Sequence, residues 1–284
     1  KQKYLFNDSA IASQVPYSSD DDPIASSTLS TAQSSGWIWD IGLPSRRGIG
    51  HVFSSSYTDA TLAETELRHH IKNLVGEEVA EQVSTRKIEF SPGHREKFWH
   101  KNCVAIGMAA GFIEPLEASA LVLVELSANM IAEQLPQNRK IMDIVSKRFN
   151  EKFLYRWDTI IEFLKLHYIL TDRDNSEYWR DNVSHESIPA SLQEKMDLWK
   201  WQGPYHKDTL HIDEMFPSAS YQYILYGMGF KTNPGNFRRS NQETSAVALD
   251  LFDENAMRTK QLVSSMPTNR DFIAKVHQYG LQKI

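Results

Sequence analysis

The segment from residue 102 to residue 120 carries the densest chemical signal in the sequence, because small residues there lead directly into two carboxylates. Residues 104–106 predict a short buried strand, followed by a turn that contains Gly107 and Gly111. Little side chain covers the backbone of such a turn, so a flat ligand could approach it closely. A helix is predicted to begin near Ala118, where free N–H groups would suit an anion. The same spacing also fits a turn whose small residues serve packing alone.

Glu117 and Glu114 are the two carboxylates of this segment. Glu117 would lie just inside the predicted helix, where the helix macrodipole favours a negative charge even without a function. A structural and a catalytic interpretation of Glu117 therefore both stay open at this point. Pro115 lies between the two glutamates, so they need not share a face.

Aromatic residues are plentiful, with seven Trp, eleven Tyr and thirteen Phe, and together they could wall a pocket for a planar substrate. Core packing explains each of them taken singly. Trp37 and Trp39 lie two residues apart on a predicted strand and should therefore point to the same face, where they would stiffen a sheet or line a cleft.

Common catalytic and nucleotide-binding signatures fail on inspection. Gly48 and Gly50 supply two of the three dinucleotide glycines, but strand residues follow them, and residues 227–229 lack the third glycine as well. The sequence contains no P-loop, CxxC, HExxH or GxSxG pattern. The histidine pairs at 69–70 and at 94 and 100 do not have zinc-ligand spacing, so we predict no metal site.

Composition narrows the class of protein and its partners. The net charge is -5 and the pI is near 6.1, which argues against nucleic acid or an anionic membrane as the main partner. The longest nearly apolar stretch, residues 103–113, is too short to span a bilayer. A single cysteine, Cys103, excludes an internal disulfide framework and fits a cytoplasmic location. Residues 1–6 lack an initiator Met and a signal-peptide layout, so we expect the sequence to begin inside a longer protein.

The first third of the sequence predicts mixed α and β structure. Residues 7–35 read as a polar connector, and two β-prone runs, 37–43 and 49–54, predict a hairpin. Thr58 or Asp59 should cap a helix with apolar positions Ala60, Ala63, Leu67, Ile71 and Leu74, and a further strand is expected around residues 88–90.

The remainder is predicted to be mainly helical. A long apolar stripe runs from Ile141 to Tyr168 at helical spacing. Further helices are expected at residues 118–133, 191–201, 219–226, 245–264 and 271–279. We therefore expect an α+β chain in which residues 1–117 contain the sheet and residues 118–284 form a mainly helical region.

Two sequence segments resemble signatures of the flavin-dependent tryptophan halogenases. Residues 36–41, GWIWDI, are similar to the WxWxIP signature of that family, with Gly42 in the place of proline. Residues 102–120 are similar to the family segment NCVAIGxAAGFxEPLES, with Ala118 in the place of the last serine.

Two later segments extend the resemblance in the same order. Residues 167–179 are similar to the stretch HYxLTxRxDSxFW, and residues 216–229 to FxxxSWxxxxxGxG, with Tyr221 in the place of tryptophan. Four ordered matches across nearly the whole chain are much more specific than any one of them.

The resemblance implies a two-step chemistry. Reduced FAD reacts with oxygen to give a flavin hydroperoxide, which oxidises chloride or bromide to hypohalous acid. This oxidant travels through a tunnel to an essential lysine, and a nearby glutamate, matched here by Glu117, assists proton removal from the aromatic ring. In the family that lysine and the FAD GxGxxG lie ahead of the segments seen here, so we assign no lysine of this chain to that role.

The resemblance also assigns binding residues. Backbone N–H groups of Ser119 and Ala120 correspond to the halide site, and the stretch before Phe216 corresponds to the substrate region. That stretch, residues 205–216, does not reproduce the cluster that grips free tryptophan, so we expect an indole-like or phenolic ring walled by Tyr205, Phe216 and Tyr221. The flavin ring should pack on a turn formed by Gly107, Met108, Ala109, Ala110, Gly111 and Phe112.

The fold expected from the family is a mixed sheet that completes a flavin monooxygenase-like FAD domain, followed by a helical substrate cap. The expected partners are a separate flavin reductase and a small aromatic substrate, with a homodimer as one possible assembly. Two other functions stay open: a flavin-dependent aromatic hydroxylase that uses no halide, and a non-enzymatic helical module that binds a partner through its aromatic residues.

Overall fold

The structure is a computed structural model that describes residues 3–208, 214–233 and 242–281, without the side chains of residues 242–244. The described residues form a five-stranded sheet, two small strand pairs and a series of helices. Every pairing among these strands is antiparallel. No helix of the described part is both long and apolar enough to cross a membrane.

The strands of the sheet are β1 (Ser9–Pro16), β2 (Leu29–Gln33), β3 (Gly36–Gly42), β4 (Arg46–Phe53) and β5 (Thr85–Glu89). Their order in the sheet is β2-β3-β4-β1-β5. The predicted hairpin is confirmed, since β3 and β4 pair directly and Trp39 lies opposite Gly50. The predicted strand near residue 88 is confirmed as β5.

The prediction of a polar connector over residues 7–35 is wrong, because this stretch contributes two strands, β1 and β2. Strand β1 lies between β4 and β5, and both Ser9 and Ser13 are buried there. The Ser13 hydroxyl donates to the Ser84 carbonyl at 3.0 Å, which satisfies the buried oxygen. Serines hidden by a neighbouring strand looked like loop residues in the sequence, because polarity alone does not reveal burial.

Two short strand pairs, β6 (Gly93–His94) with β9 (Gly111–Phe112) and β7 (Trp99–His100) with β8 (Cys103–Val104), follow the sheet. The predicted buried strand over residues 104–106 is largely wrong. Pairing stops at Val104, and Ile106 is exposed. The Ala105 N–H still donates to the Phe98 carbonyl at 2.8 Å, and a turn follows in which Gly107 has a positive φ.

The first helix, α1 (Ala60–Val75), forms as predicted. The Asp59 carboxylate accepts hydrogen bonds from the N–H groups of Thr61 and Leu62, which caps the helix. Buried side chains of α1 pack on the inner face of the sheet, and α2 (Glu77–Gln82) closes the end of this layer. The shared core consists of Ile11, Val15, Ile38, Ile49, Phe53, Ala63, Leu67, Ile71 and Ala80.

The predicted helical half is confirmed, and its central element is α4 (Arg139–Ile169), which is 31 residues long. The second half of α4 is buried, and it packs into a core that contains residues from both the sheet and the later helices. The sequence pattern did not predict the short helix α5. The other helices are α3 (Ala120–Glu133), α5 (Glu177–Asn182), α6 (Ala190–Trp199), α7 (Ser218–Gly227), α8 (Gln242–Ser265) and α9 (Asn269–Tyr279).

The close packing of Gly50 against Trp39 gives a test of this sheet. A Cβ at residue 50 would lie 2.2 Å from Trp39 Cζ2 and 2.7 Å from the Ile11 carbonyl oxygen. We expect Gly50→Ala to lower the free energy of unfolding by about 1–3 kcal/mol, the usual cost of overpacking, in urea denaturation. Gly48→Ala is the matched control, because a Cβ there meets nothing within 4 Å. Equal effects of the two substitutions would contradict this register.

Candidate active site

The Gly-rich turn presents bare backbone and one long apolar side chain to its surroundings. Gly107 has φ 58°, a conformation that favours glycine. Gly111 pairs with His94, and a Cβ there would lie 2.7 Å from the Gly93 carbonyl oxygen, so only glycine fits. Met108 is 81% exposed. The guanidinium of Arg95 donates to the Ala109 carbonyl at 2.6 Å and fixes the outer side of the turn.

A cavity of about 450 Å³ lies between this turn, the beginning of α3 and the middle of α4. Its walls are mainly apolar, and they include Ser119 and Ala120, the two residues predicted to bind halide. Five of the six residues predicted to contact the flavin line the same cavity, whereas Ala109 lies on the outer side of the turn. The apolar walls include Phe112, Leu123, Val124, Phe149, Phe153 and Trp157.

The backbone is strained at Glu117, which has φ 66°, and at Ala118, which has φ 47°. Left-handed backbone costs an L-residue about 1–2 kcal/mol relative to the right-handed form. The predicted helix start near Ala118 is therefore wrong: α3 begins at Ala120, because left-handed residues cannot continue a right-handed helix. Among the described residues, no side chain caps the first N–H groups of α3. The first backbone hydrogen bond at the start of this helix joins the Leu123 N–H to the Ser119 carbonyl at 3.1 Å.

Glu117 is held by a histidine from α4. The Glu117 Oε1 atom lies 2.9 Å from His167 Nε2, and His167 Nδ1 lies 2.9 Å from the Phe163 carbonyl oxygen. The Glu117 side chain is about one-third exposed. Within the described residues it lines neither the large cavity nor the aromatic one, although its neighbour Ala118 lines the large cavity.

A second cavity, of about 290 Å³, contains all three predicted substrate residues, Tyr205, Phe216 and Tyr221. The rings of Phe163 and Phe216 stack with centroids 3.9 Å apart, and Tyr221 lies edge-on to Phe163 at 4.9 Å. Phe163 also meets the His167 ring edge-on at 5.2 Å. Aromatic contacts therefore lead from this cavity to the histidine that holds Glu117. Burial raises the pKa of Tyr221.

Glu114 forms a buried hydrogen-bond centre that sequence reasoning missed. Its Oε2 atom accepts from Asn7 Nδ2 at 2.5 Å, Trp37 Nε1 at 2.9 Å and Tyr168 Oη at 2.6 Å. Burial raises the pKa of Glu114, although these three donors act in the opposite direction. Its Oε1 atom has no hydrogen-bond partner in the described part of the chain, and the residue also lines the large cavity.

The same buried network reaches α5. The Tyr178 hydroxyl donates to Asn7 Oδ1 at 3.0 Å, and the fully buried Lys165 ammonium donates to Asn182 Oδ1 at 2.9 Å. Burial lowers the pKa of Lys165 to about 7. In the sequence Glu114 was only the second carboxylate of its segment and Lys165 did not stand out, because their partners lie far along the chain. The one sequence signal that could have indicated a structural role for Glu114 was its place in the matched segment, residues 102–120.

Within the described part of the chain, the histidines and carboxylates form no cluster that could hold a metal ion. No group of three or more potential ligands occurs among residues 3–208, 214–233 and 242–281. His94 instead packs in parallel with Phe98 and Trp157, with ring centroids 6.0 and 5.4 Å away.

Comparison with known proteins identifies the family to which this site belongs. Residues 1–241 match the family described as tryptophan halogenase. The chain belongs to this family. The resemblance drawn from four sequence segments is therefore confirmed, as is the predicted α+β class with an FAD-binding type of fold.

Individual tryptophan halogenases match the sequence of this chain along nearly its whole length. The chain is 31% identical over 287 residues to the 7-chloro-L-tryptophan 6-halogenase KtzR of Kutzneria sp. (strain 744), covering 97% of the chain and 52% of KtzR. It is 31% identical over 280 residues to the tryptophan 6-halogenase SttH of Streptomyces toxytricini, covering 98% and 51%.

A solved tryptophan halogenase structure from Shewanella frigidimarina NCIMB 400 superimposes with a TM-score of 0.93 and 48% identity. The overlap covers 99% of this chain and 53% of that structure. The chain thus spans about half the length of the relatives that it matches.

The left-handed backbone at Ala118 gives a stability prediction. Glycine adopts this conformation without the penalty of a Cβ, so we expect Ala118→Gly to raise the free energy of unfolding by about 0.5–1 kcal/mol in urea denaturation. Ala128→Gly, at an exposed position inside α3, is the matched control and should lower it by about 1 kcal/mol. A loss of similar size at both positions would show that residue 118 is not strained.

The raised pKa of Glu114 predicts a particular pH dependence of stability. A carboxyl whose pKa is higher in the folded state stabilises the protein below its ordinary pKa of 4.5, and this contribution is lost as pH rises through the folded value. Glu114→Gln has no such contribution. We therefore expect the difference in unfolding free energy, wild type minus Glu114→Gln, to fall as pH rises above about 4.5. A difference that grows with pH would contradict this environment for Glu114.

Proposed function

We propose that the protein is a flavin-dependent halogenase that places chloride or bromide on an electron-rich, indole-like aromatic ring. The observation that carries this proposal is that contacts link Glu117 to two different cavities, although its own side chain lines neither of them. Its neighbours Ala118 and Ser119 line the large apolar cavity, and its partner His167 contacts Phe163, which stacks on Phe216 of the aromatic cavity. Glu117 can therefore serve chemistry that joins a small oxidant to an aromatic ring.

The beginning of α3 fits a halide. The N–H groups of Ser119 and Ala120 lie ahead of Leu123, whose N–H makes the first backbone hydrogen bond at the helix start, and no side chain of the described residues caps this end of the helix. Such N–H groups and the positive end of the helix macrodipole attract an anion. Backbone donors do not depend on side-chain identity, so alanine at residue 120 is compatible with this role.

The Gly-rich turn fits a flavin ring. The small residues of the turn over 107–112, the exposed Met108 side chain and the adjoining apolar cavity together provide a place where a flat ring could pack against backbone and apolar side chains. When bound and reduced, FAD would activate oxygen, and the oxidant formed from that oxygen would convert halide into hypohalous acid. We further propose that a separate flavin reductase supplies the reduced cofactor and that the protein is a homodimer.

Glu117 would act in the substitution step itself. The ring carbon forms a bond to the halogen of hypohalous acid, and the hydroxide that leaves takes up a proton and becomes water. The intermediate ring is cationic, so a nearby carboxylate stabilises it, and the carboxylate then accepts the proton of the C–H bond that breaks. We assign no lysine of this chain to the handling of the oxidant. Lys165 is fully buried and bound to Asn182.

The substrate class follows from the aromatic cavity. Phe216, Tyr221 and Tyr205 provide flat walls, and a volume of about 290 Å³ suits a small ring system. Residues 209–213, which belong to the predicted substrate stretch, lie outside the described residues. We propose an indole or phenol rather than free tryptophan, because residues 205–216 lack the cluster expected for the amino acid.

The assignment of one part of the chain to flavin binding and the other to substrate binding is also a proposal. Residues 1–117 would complete the flavin-binding part, and residues 118–284 would form the substrate-binding part. The boundary falls between the two strained residues Glu117 and Ala118. The main hydrophobic core contains side chains from both parts, so we expect them to fold together.

Halogenation by the full-length protein tests the function. The assay contains FAD, a flavin reductase, NADH, bromide or chloride and a panel of indoles and phenols, and mass spectrometry reads the products. We expect a halogen isotope pattern on a product, and we expect Glu117→Gln to lower its rate of formation by about 10²-fold or more. Glu125→Gln is the matched control, because this exposed glutamate lies on α3 outside both cavities.

Two outcomes would contradict the proposal. Oxygenated products without halogen would indicate an aromatic hydroxylase. A Glu117→Gln variant that halogenates as fast as wild type would remove Glu117 from the mechanism.

A further inference from the structure

The contacts of His167 show which of its two ring nitrogens must carry a hydrogen. Its Nδ1 atom faces the Phe163 carbonyl oxygen at 2.9 Å, one helical turn earlier on α4. A carbonyl oxygen only accepts hydrogen bonds, so Nδ1 must carry a hydrogen. This bond also fixes the ring plane, because it ties the side chain to its own helix.

The contact at the other nitrogen then determines how the proton is shared with Glu117. If Nε2 is unprotonated, the Glu117 carboxyl must be protonated and donate to it. If Nε2 carries a hydrogen, His167 is an imidazolium that donates to an ionised Glu117. In both cases a single proton lies in the 2.9 Å contact between Nε2 and Oε1. The second state leaves Glu117 ready to accept a proton from a ring.

We propose that His167 is a positioning residue for Glu117: through the shared proton it holds Oε1 and leaves Oε2 free to receive the ring proton. This inference rests on the proposed function. No described residue donates a hydrogen bond to Oε2, so that oxygen is open. The Glu117 side chain is about one-third exposed, so without a partner it would sample several rotamers. The contact with His167 restrains its carboxylate to one of them.

Phe163 links this restraint to the substrate. Its carbonyl oxygen accepts the bond from His167 Nδ1, and its ring stacks on Phe216 in the aromatic cavity. The wall of the cavity and the orientation of the imidazole are therefore set by one residue of α4.

Two substitutions at residue 167 separate positioning from simple packing, in the full-length protein under the halogenation assay. His167→Leu removes the donor, and we expect it to lower kcat for halogenation by about tenfold to a hundredfold, with a smaller change in KM. His167→Gln retains an amide N–H at similar reach and should recover part of that loss. His277→Leu, at an exposed position on α9, is the matched control.

The same variants should not alter the step that makes the oxidant. We expect the halide-dependent formation of hypohalous acid, measured with a soluble chlorination trap, to continue at the wild-type rate in His167→Leu. We also expect His167→Leu to cost nothing further in a Glu117→Gln background, because the histidine acts through Glu117. NMR of ¹⁵N-labelled histidine provides a readout without turnover: the chemical shift of His167 Nε2 should change in Glu117→Gln, because the contact with a carboxylate oxygen is lost, whereas Nδ1 should keep its hydrogen bond to the Phe163 carbonyl.

The outcomes distinguish this inference from the proposed function. Absence of halogenated product in the wild type overturns the proposed function, whatever the NMR result. Wild-type halogenation with an unchanged kcat in both residue 167 variants overturns the role of His167. Equal losses in the wild-type and Glu117→Gln backgrounds also overturn it, since they would mean that His167 contributes only to folding. An Nε2 chemical shift that is the same in the wild type and in Glu117→Gln would contradict the contact between His167 and Glu117.

Discussion

The buried carboxylate of Glu114 is the interaction on which the rest of the structure depends. It accepts hydrogen bonds from Asn7 ahead of β1, Trp37 on β3 and Tyr168 near the end of α4, and so joins the sheet to the central helix. A buried carboxylate is costly unless donors surround it, so the three elements can only meet in an arrangement that supplies them. That arrangement sets the space between α4 and the Gly-rich turn, which is the large cavity.

The network also limits where Glu117 can go. Glu114 is anchored on one side and α3 begins on the other, so the chain between them must turn within five residues. The left-handed conformations at Glu117 and Ala118 are the consequence. Strained residues persist where the surrounding structure leaves no alternative, and they often occur at functional sites. Here the strain directs a carboxylate toward His167 and away from the apolar cavity.

Local sequence signals predicted most of the elements. The cap at Asp59, the hairpin of β3 and β4 and the long stripe of α4 each rest on contacts between residues close in sequence. The exceptions depended on distant neighbours. Strand β1 looked like a connector because its serines are buried only by β4 and β5, and the start of α3 shifted because of strain that no propensity records.

The sequence by itself determined the family, the Gly-rich turn, the candidate carboxylate Glu117 and the aromatic residues that were expected near a substrate. These follow from motif identity and from spacing along the chain. Only the tertiary structure decided that His167, 50 residues after Glu117, holds its carboxylate and that Glu114 is the centre of a buried network. Pairing between residues far apart in the chain is set by how helices and strands pack, and a single sequence contains no local pattern for it.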